Sequence, residues 1–169
     1  MKGKTMIRAA IITLSDKGSK GERVDESGQA IREMVTAIGA EVSHYEVLPD
    51  ERPLIATALV RLSDSGSIDL IITTGGTGVA PRDVTPEATR DVIDRELPGM
   101  AEAMRAESLK KTAHAMISRA VAGIRGRTLI VNLPGSPRAV RENLAVILPA
   151  LSHTVEKIKG DPSDCARPE

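Results

Sequence analysis

Short apolar runs alternate along this chain with longer segments that carry helix start and stop signals, and that alternation restricts the fold more than any other feature. Residues 7–14 are apolar and rich in β-branched side chains, which suits a buried strand. A polar loop over residues 15–27 follows, then a helix over 27–38 with Gly39 placed to stop it. Residues 42–48 alternate in polarity, as a second strand does, and Asp50 is placed to cap a helix that runs to Ser65 and ends at Gly66. Residues 70–74 predict a third strand. Thr85 and Pro86 read as the cap and first position of another helix, broken at Pro98-Gly99 and resumed over 100–109. Residues 128–133 predict a further strand. Ser136 and Pro137 open the last helix, which extends through Leu148, with Pro149 kinking it or starting a new turn. Such alternation predicts an α/β fold with a mostly parallel sheet and helices on both faces. The length fits one domain over residues 1–160, followed by a loose polar tail at 161–169.

The layers must pack almost without aromatic rings. Phe and Trp are absent and Tyr45 is the only aromatic residue, so the core is built from Leu, Ile, Val, Ala and Met. A bound heteroaromatic ring must then lie against backbone and aliphatic side chains, because the base-stacking platforms of single-strand nucleic-acid binders are not available. The 23 basic and 23 acidic side chains balance, which argues against a broad nucleic-acid or anionic-membrane surface and leaves room only for a local basic pocket. The apolar run at 70–72 is far too short to span a bilayer. The first residues lack a secretory signal, and the single cysteine, Cys165, has no disulfide partner, so a cytoplasmic location is expected.

In open parallel sheets ligands sit beyond the carboxyl ends of the strands, so the loops at 15–27, 75–83 and 134–137 are the candidates. Thr73-Thr74-Gly75-Gly76-Thr77-Gly78 places glycines directly after a strand, where successive amides can cradle an anion. On spacing alone the same glycines serve a tight turn equally well. The segment is neither a Walker A loop nor a dinucleotide fingerprint, since Val79 follows Gly78 and Pro81 replaces the third glycine. Arg82 and Asp83 follow. A carboxylate beside a phosphate loop repels the ligand unless a cation stands between them, which points to Mg²⁺, and Arg82 can neutralise phosphate directly. Read alone, this segment is more readily a solvated helix entry. Asp50 adds a second loop carboxylate, Ser15 and Asp16 follow the first strand, and the helix start at Ser136 offers free amides to an anion. His44, His114 and His153 lack a metal-ligand spacing, and no serine occupies a nucleophile elbow.

Together these segments resemble the molybdenum cofactor biosynthesis adenylyltransferase family, the MogA and MoaB group. The resemblance covers residues 6–158 and rests on Thr13-Leu14-Ser15-Asp16, Asp25 to Gly28, Leu48-Pro49-Asp50-Glu51 and Thr73 to Gly78. It continues through Arg82-Asp83-Val84-Thr85-Pro86, Pro98-Gly99-Met100, Ser118-Arg119 and Asn132-Leu133-Pro134-Gly135-Ser136-Pro137. It implies a three-layer α/β/α sandwich, usually trimeric, and a Mg²⁺-dependent nucleotidyltransferase that moves AMP from ATP to molybdopterin and releases pyrophosphate. It implies catalytic and metal-positioning roles for Asp50 and Asp83. A nucleotide and pterin cleft is implied at Ser15, Asp16, Thr74, Gly75, Gly76, Thr77, Gly78, Arg82, Ser118, Pro134, Gly135 and Ser136. Handover of the product to a molybdate-insertion enzyme belongs to the same expectation. The alternative is a MoaB-like paralogue or pterin-binding scaffold module that keeps the fold without turnover.

Overall fold

A computed structural model describes residues 6–163. Residues 1–5, Cys165 and most of the expected loose tail lie outside the described residues. The elements run β1 (Arg8–Leu14), α1 (Asp16–Ser19), α2 (Glu26–Ala37), β2 (Glu41–Leu48), α3 (Arg52–Asp64), β3 (Leu70–Thr74) and α4 (Thr85–Arg90). They continue with β4 (Arg95–Glu96), α5 (Pro98–Leu109), a 3-10 turn (Ala113–Ile117), β5 (Ala122–Arg125), β6 (Thr128–Leu133) and α6 (Pro137–Ile158). The strands form one sheet in the order β2-β1-β3-β6-β5-β4. β2, β1, β3 and β6 are parallel, and β5 and β4 continue the sheet antiparallel.

The strand period of two divides the aliphatic side chains between two cores. Ala9, Ile11, Leu70, Ile72, Leu129 and Val131 face α2, α5 and α6, where Ile31, Val35, Met104, Leu144 and Leu151 meet them. Ala10, Ile12, Ile71 and Ile130 face the opposite way, against Ile55, Leu59 and Leu62 of α3 and Ala88 of α4. The expected three-layer α/β/α arrangement is therefore the observed one. Each fully buried Ile or Leu contributes about 1.5–3 kcal/mol, so the missing aromatic rings are replaced by number. One buried polar knot crosses the layers. The Asn132 amide donates to Thr73 Oγ1 at 3.0 Å and Thr89 Oγ1 at 2.9 Å, and its Oδ1 accepts from the Val121 amide at 3.2 Å.

Several local expectations are corrected. The segment at 15–27 is not all loop, because Ser15 Oγ accepts from the Gly18 amide at 2.9 Å and opens α1. Asp50 does not cap α3. Glu51 occupies that position without a side-chain bond, while the Asp50 carboxylate accepts from the Asp16 amide instead. Thr85 is the first residue of α4 rather than its cap, and its hydroxyl donates to the Gly75 carbonyl at 2.9 Å. The helix it opens ends at Arg90, well before Pro98, which starts α5 rather than breaking a helix. β4 and β5 were not expected, and strands of two and four residues are too short to show a period. α6 continues past Pro149 to Ile158, because Leu151 and Val155 extend its buried stripe. Ser136 caps it as expected, accepting from the Ala139 amide.

Asp69, at the end of the sheet opposite the candidate loops, is expected to make the fold acid-sensitive. Its side chain is 2% exposed and carries Arg8 at 3.0 Å and Lys159 at 2.7 Å. Burial raises its pKa, but hydrogen bonds from Arg8 and Lys159 outweigh that and hold it at about 2. A depressed folded-state pKa gives stability that is complete above the unfolded value, near 4, and lost as pH falls towards 2. Denaturant titrations from pH 6 to pH 2 are expected to show wild-type protein losing roughly 2 kcal/mol more than Asp69→Asn over that window. Parallel curves for the two proteins would refute this role for Asp69.

Candidate functional site

Sheet pairing brings the strand ends level. Leu14 lies opposite Leu48, Thr13 opposite Thr74, and Thr74 opposite Leu133. The loops leaving β1, β2, β3 and β6 therefore gather at one end. From β1 the chain passes to its neighbour β2 on one side, whereas β3 lies on the other side of β1. This is the kind of switch point at which open α/β sheets bind ligands.

Two glycines allow the loops to close on each other. Gly75 has a φ of +96°, and a Cβ there would collide with the Leu14 carbonyl. Gly76 has a φ of +65°, and a Cβ would collide with the Thr85 hydroxyl and stand 3.0 Å from Asp50 Oδ1. Neither position admits a side chain without displacing a neighbour. The Thr74 hydroxyl donates to the Pro134 carbonyl at 2.6 Å, and Ser27 Oγ donates to the Gly135 carbonyl at 2.6 Å, which fixes the β6 loop beside the glycines.

The acidic residues form a linked group. Asp16 and Asp50 clasp each other: the Asp16 amide donates to Asp50 Oδ2 at 3.1 Å, and the Asp50 amide donates to Asp16 Oδ1 at 3.0 Å. Arg82 grips Asp16 with Nε at 2.5 Å and Nη2 at 2.8 Å. Hydrogen bonding from Arg82, then from the Asp50 amide, holds the Asp16 carboxyl at about 2. Asp50 moves the other way. Burial, then repulsion from Asp16 and Asp83, pushes its carboxyl above the ordinary value. Asp83 Oδ2 accepts from the Ala80 amide at 2.9 Å and lies against Gly78. A cation between Asp50 and Asp83 would relieve this repulsion, and their hard oxygen donors suit a divalent ion of the Mg²⁺ type. Among the described residues no group of three or more His, Cys, Asp or Glu side chains is arranged to hold a metal. Such an ion would therefore draw its remaining ligands from phosphate and water, as Mg²⁺ commonly does.

Two adjoining clefts open at this end of the sheet. The first, of about 410 Å³, is lined by Ser15, Asp50, Thr74, Gly75, Gly76 and Asp83, together with Gly135 and Ser136. The second, of about 440 Å³, holds Thr77, Gly78, Ser118 and Pro134. Gly76, Asp83, Gly135 and Ser136 line both. Of the residues expected here, only Asp16 and Arg82 line neither cleft; their ion pair sits beside Asp50.

Other cleft residues had no site role assigned from the sequence. Asp25 lines the first cleft. It caps α2 through the Gly28 amide and accepts from both Thr13 Oγ1 and the Tyr45 hydroxyl at 2.5 Å. Its signal was an aspartate three residues before Gly28, in N-cap spacing. Arg105, His114 and Asn143 line the second cleft from α5, the 3-10 turn and α6. No local motif marks them, because only the packing of distant segments brings them together.

The family model described as "Probable molybdopterin binding domain" matches residues 10–153. A molybdopterin adenylyltransferase of Helicobacter pylori is 45% identical over 157 residues, covering 92% of this chain and 89% of that protein. One from Escherichia coli is 40% identical over 151 residues, covering 88% of this chain and 77% of the relative. The crystal structure of the molybdopterin biosynthesis enzyme MoaB from Thermus thermophilus superposes with a TM-score of 0.87 at 53% identity, covering 94% of this chain and all (100%) of that one.

Proposed function

The chain belongs to the MogA and MoaB family of probable molybdopterin binding domains, and we propose that it transfers AMP from ATP to molybdopterin with release of pyrophosphate. The observation that carries this reading is the pair of adjoining clefts that share Gly76 and Asp83. A two-substrate transfer needs room for each reactant and one place where they meet, and holding them there removes much of the entropic barrier.

The chemistry follows from the residues present. The terminal phosphate of molybdopterin attacks the α-phosphorus of ATP. A new phosphorus–oxygen bond forms, the α–β bridge breaks, and pyrophosphate leaves with the bonding electrons. A phosphate monoester is mostly dianionic near neutral pH, its second pKa being about 6, so no general base is required. The site must hold two anions together and stabilise charge on the leaving group. Backbone amides of Gly76 to Gly78 and the helix start at Ser136 supply fixed positive dipoles, the Gly75 amide being taken by the Leu133 carbonyl. Asp50 and Asp83 would hold Mg²⁺, which when bound supplies charge neutralisation for the reacting phosphates. Arg82 commits Nε and Nη2 to Asp16, which leaves Nη1 as its donor toward a phosphate.

The same reading includes a homotrimer, a cytoplasmic location and handover of the product to a molybdate-insertion enzyme. Exposed Leu109, Met116 and Ile117 fit a subunit contact. No helix among the described residues is long and apolar enough to cross a membrane, and the balanced charge offers no broad nucleic-acid surface.

The test is pyrophosphate release by purified protein. Release is expected to require ATP, molybdopterin and Mg²⁺ together and to stop when EDTA removes the metal. An inactive protein, with substrates confirmed on an active relative, would make the chain a pterin-binding paralogue or scaffold. Full activity in EDTA would remove the metal role from Asp50 and Asp83.

A further inference from the structure

Residues 78–83 carry Asp83 to the junction of the clefts, yet Val79, Ala80, Pro81 and Arg82 are all exposed. The turn has one internal clasp, the Ala80 and Asp83 amides donating to Asp83 Oδ2 and the Ala80 carbonyl at 2.9 Å each. Arg82 ties its exposed middle to Asp16, and Arg119 ties both of its ends to the body of the protein. The Arg119 amide donates to the Thr77 carbonyl at 2.9 Å, Nε donates to the Gly78 carbonyl at 2.7 Å, and Nη2 donates to the Asp83 carbonyl at 2.7 Å. One rigid guanidinium thus spans both ends of the loop.

The charge of Arg119 is already answered. Nη1 and Nη2 pair with the Glu87 carboxylate on α4, and that pairing lowers the Glu87 pKa. Arg119 lines neither cleft, so its geometry serves the loop rather than a ligand. A forked donor suits this task, whereas an ammonium group reaches such acceptors only as a single point charge.

We propose that Arg119 is a positioning residue for adenylyl transfer, holding Asp83 in place by bridging the Gly78 and Asp83 carbonyls. The proposal rests on the functional reading above. A displacement of about 1 Å at a reacting centre can lower turnover by up to about a hundredfold, and loss of the fork removes the ties at both ends of the loop, leaving the Arg82–Asp16 pair.

Steady-state pyrophosphate release by Arg119→Lys and Arg119→Met tests it, alongside each variant's thermal unfolding. Arg119→Lys keeps a positive charge for Glu87. It is expected to lower kcat about tenfold, to leave KM for ATP within about threefold, and to unfold near the wild-type temperature. Arg119→Met should lose more; if it does not fold, the lysine variant carries the test. The decisive comparison places Arg119→Lys in an Asp83→Ala background. A residue that acts through Asp83 has nothing further to lose there, so the second substitution should leave the residual rate unchanged. A further tenfold loss in that background, or wild-type kcat in the single lysine variant, overturns the proposal. Wild-type protein without turnover would instead remove the adenylyl-transfer reading, and the role of Arg119 with it.

Discussion

Asp83→Ala is expected to lower kcat for pyrophosphate release by about 10²–10³, roughly 2.7–4 kcal/mol of transition-state stabilisation, the size of losing one preorganised electrostatic group. Asp83 lines both clefts, so its charge lies where two anionic substrates would meet. Its structural duty is small. The carboxylate accepts one amide bond, from Ala80 in an exposed turn, worth about 1 kcal/mol. Stability should therefore change little while turnover collapses. Asp83→Asn separates charge from shape, since the amide oxygen can still accept from Ala80 but offers no negative charge to hold a cation. It should fall nearly as far as the alanine variant and need more Mg²⁺ for half-maximal rate. Asp50→Ala is expected to behave similarly, with an added small loss from the Asp16 amide that it accepts. Near-normal kcat in Asp83→Ala at saturating substrates would end the assignment.

Gly75→Ala is expected to be the most disruptive single methyl group at the site. The added carbon would press on the Leu14 carbonyl, a main-chain atom at the end of β1 that cannot rotate away. The φ of +96° is strained for any L-residue. Left-handed backbone costs about 1–2 kcal/mol and overpacking about 1–3 more, so a loss of roughly 3 kcal/mol is expected. For a chain of this length that is a fall of about 6–12 °C in unfolding temperature. Turnover should fall as well, because Gly75 also receives the Thr85 hydroxyl that anchors α4 to the loop. Gly99 is the control: it lies in α5, and a Cβ there meets nothing within 4 Å. Gly99→Ala should leave stability and rate close to wild type. Equal unfolding temperatures for Gly75→Ala and wild type would show that β1 yields more readily than this packing allows.

The two kinds of residue in these predictions differ in how visible they were. Asp83 and the glycine loop announce themselves, since a strand ending in Gly75-Gly76-Thr77-Gly78 with a carboxylate shortly after is a local pattern. Arg119 does not. It meets Gly78 and Asp83 across 41 and 36 residues, and no spacing rule along the chain links them. The same holds for the second cleft, whose Arg105, His114 and Asn143 come from separate segments.

Asp50 shows why local rules misplace even a correctly singled-out residue. An aspartate just ahead of a predicted helix is a good cap, but α3 begins at Arg52 and leaves Asp50 one residue short of the cap position, which Glu51 takes. In the folded protein its acceptor oxygen goes to the Asp16 amide, 34 residues away. Thr85 repeats the pattern: its hydroxyl forgoes the cap and reaches the Gly75 carbonyl. In both cases a tertiary partner displaced the local one, and the displaced groups are those that build the site.

By itself the sequence determined the strand and helix alternation, the aliphatic two-sided core, the glycine turn after β3 and the Ser136 cap. These follow from periodicity and turn chemistry that act within a few residues. Only the tertiary structure decided that β4 and β5 complete the sheet antiparallel, that Asp16 takes Arg82, and that two clefts share Gly76 and Asp83. The physical reason is that pairing register, not local propensity, brings the ends of β1, β2, β3 and β6 level, and contacts between their loops exist only once that register is set.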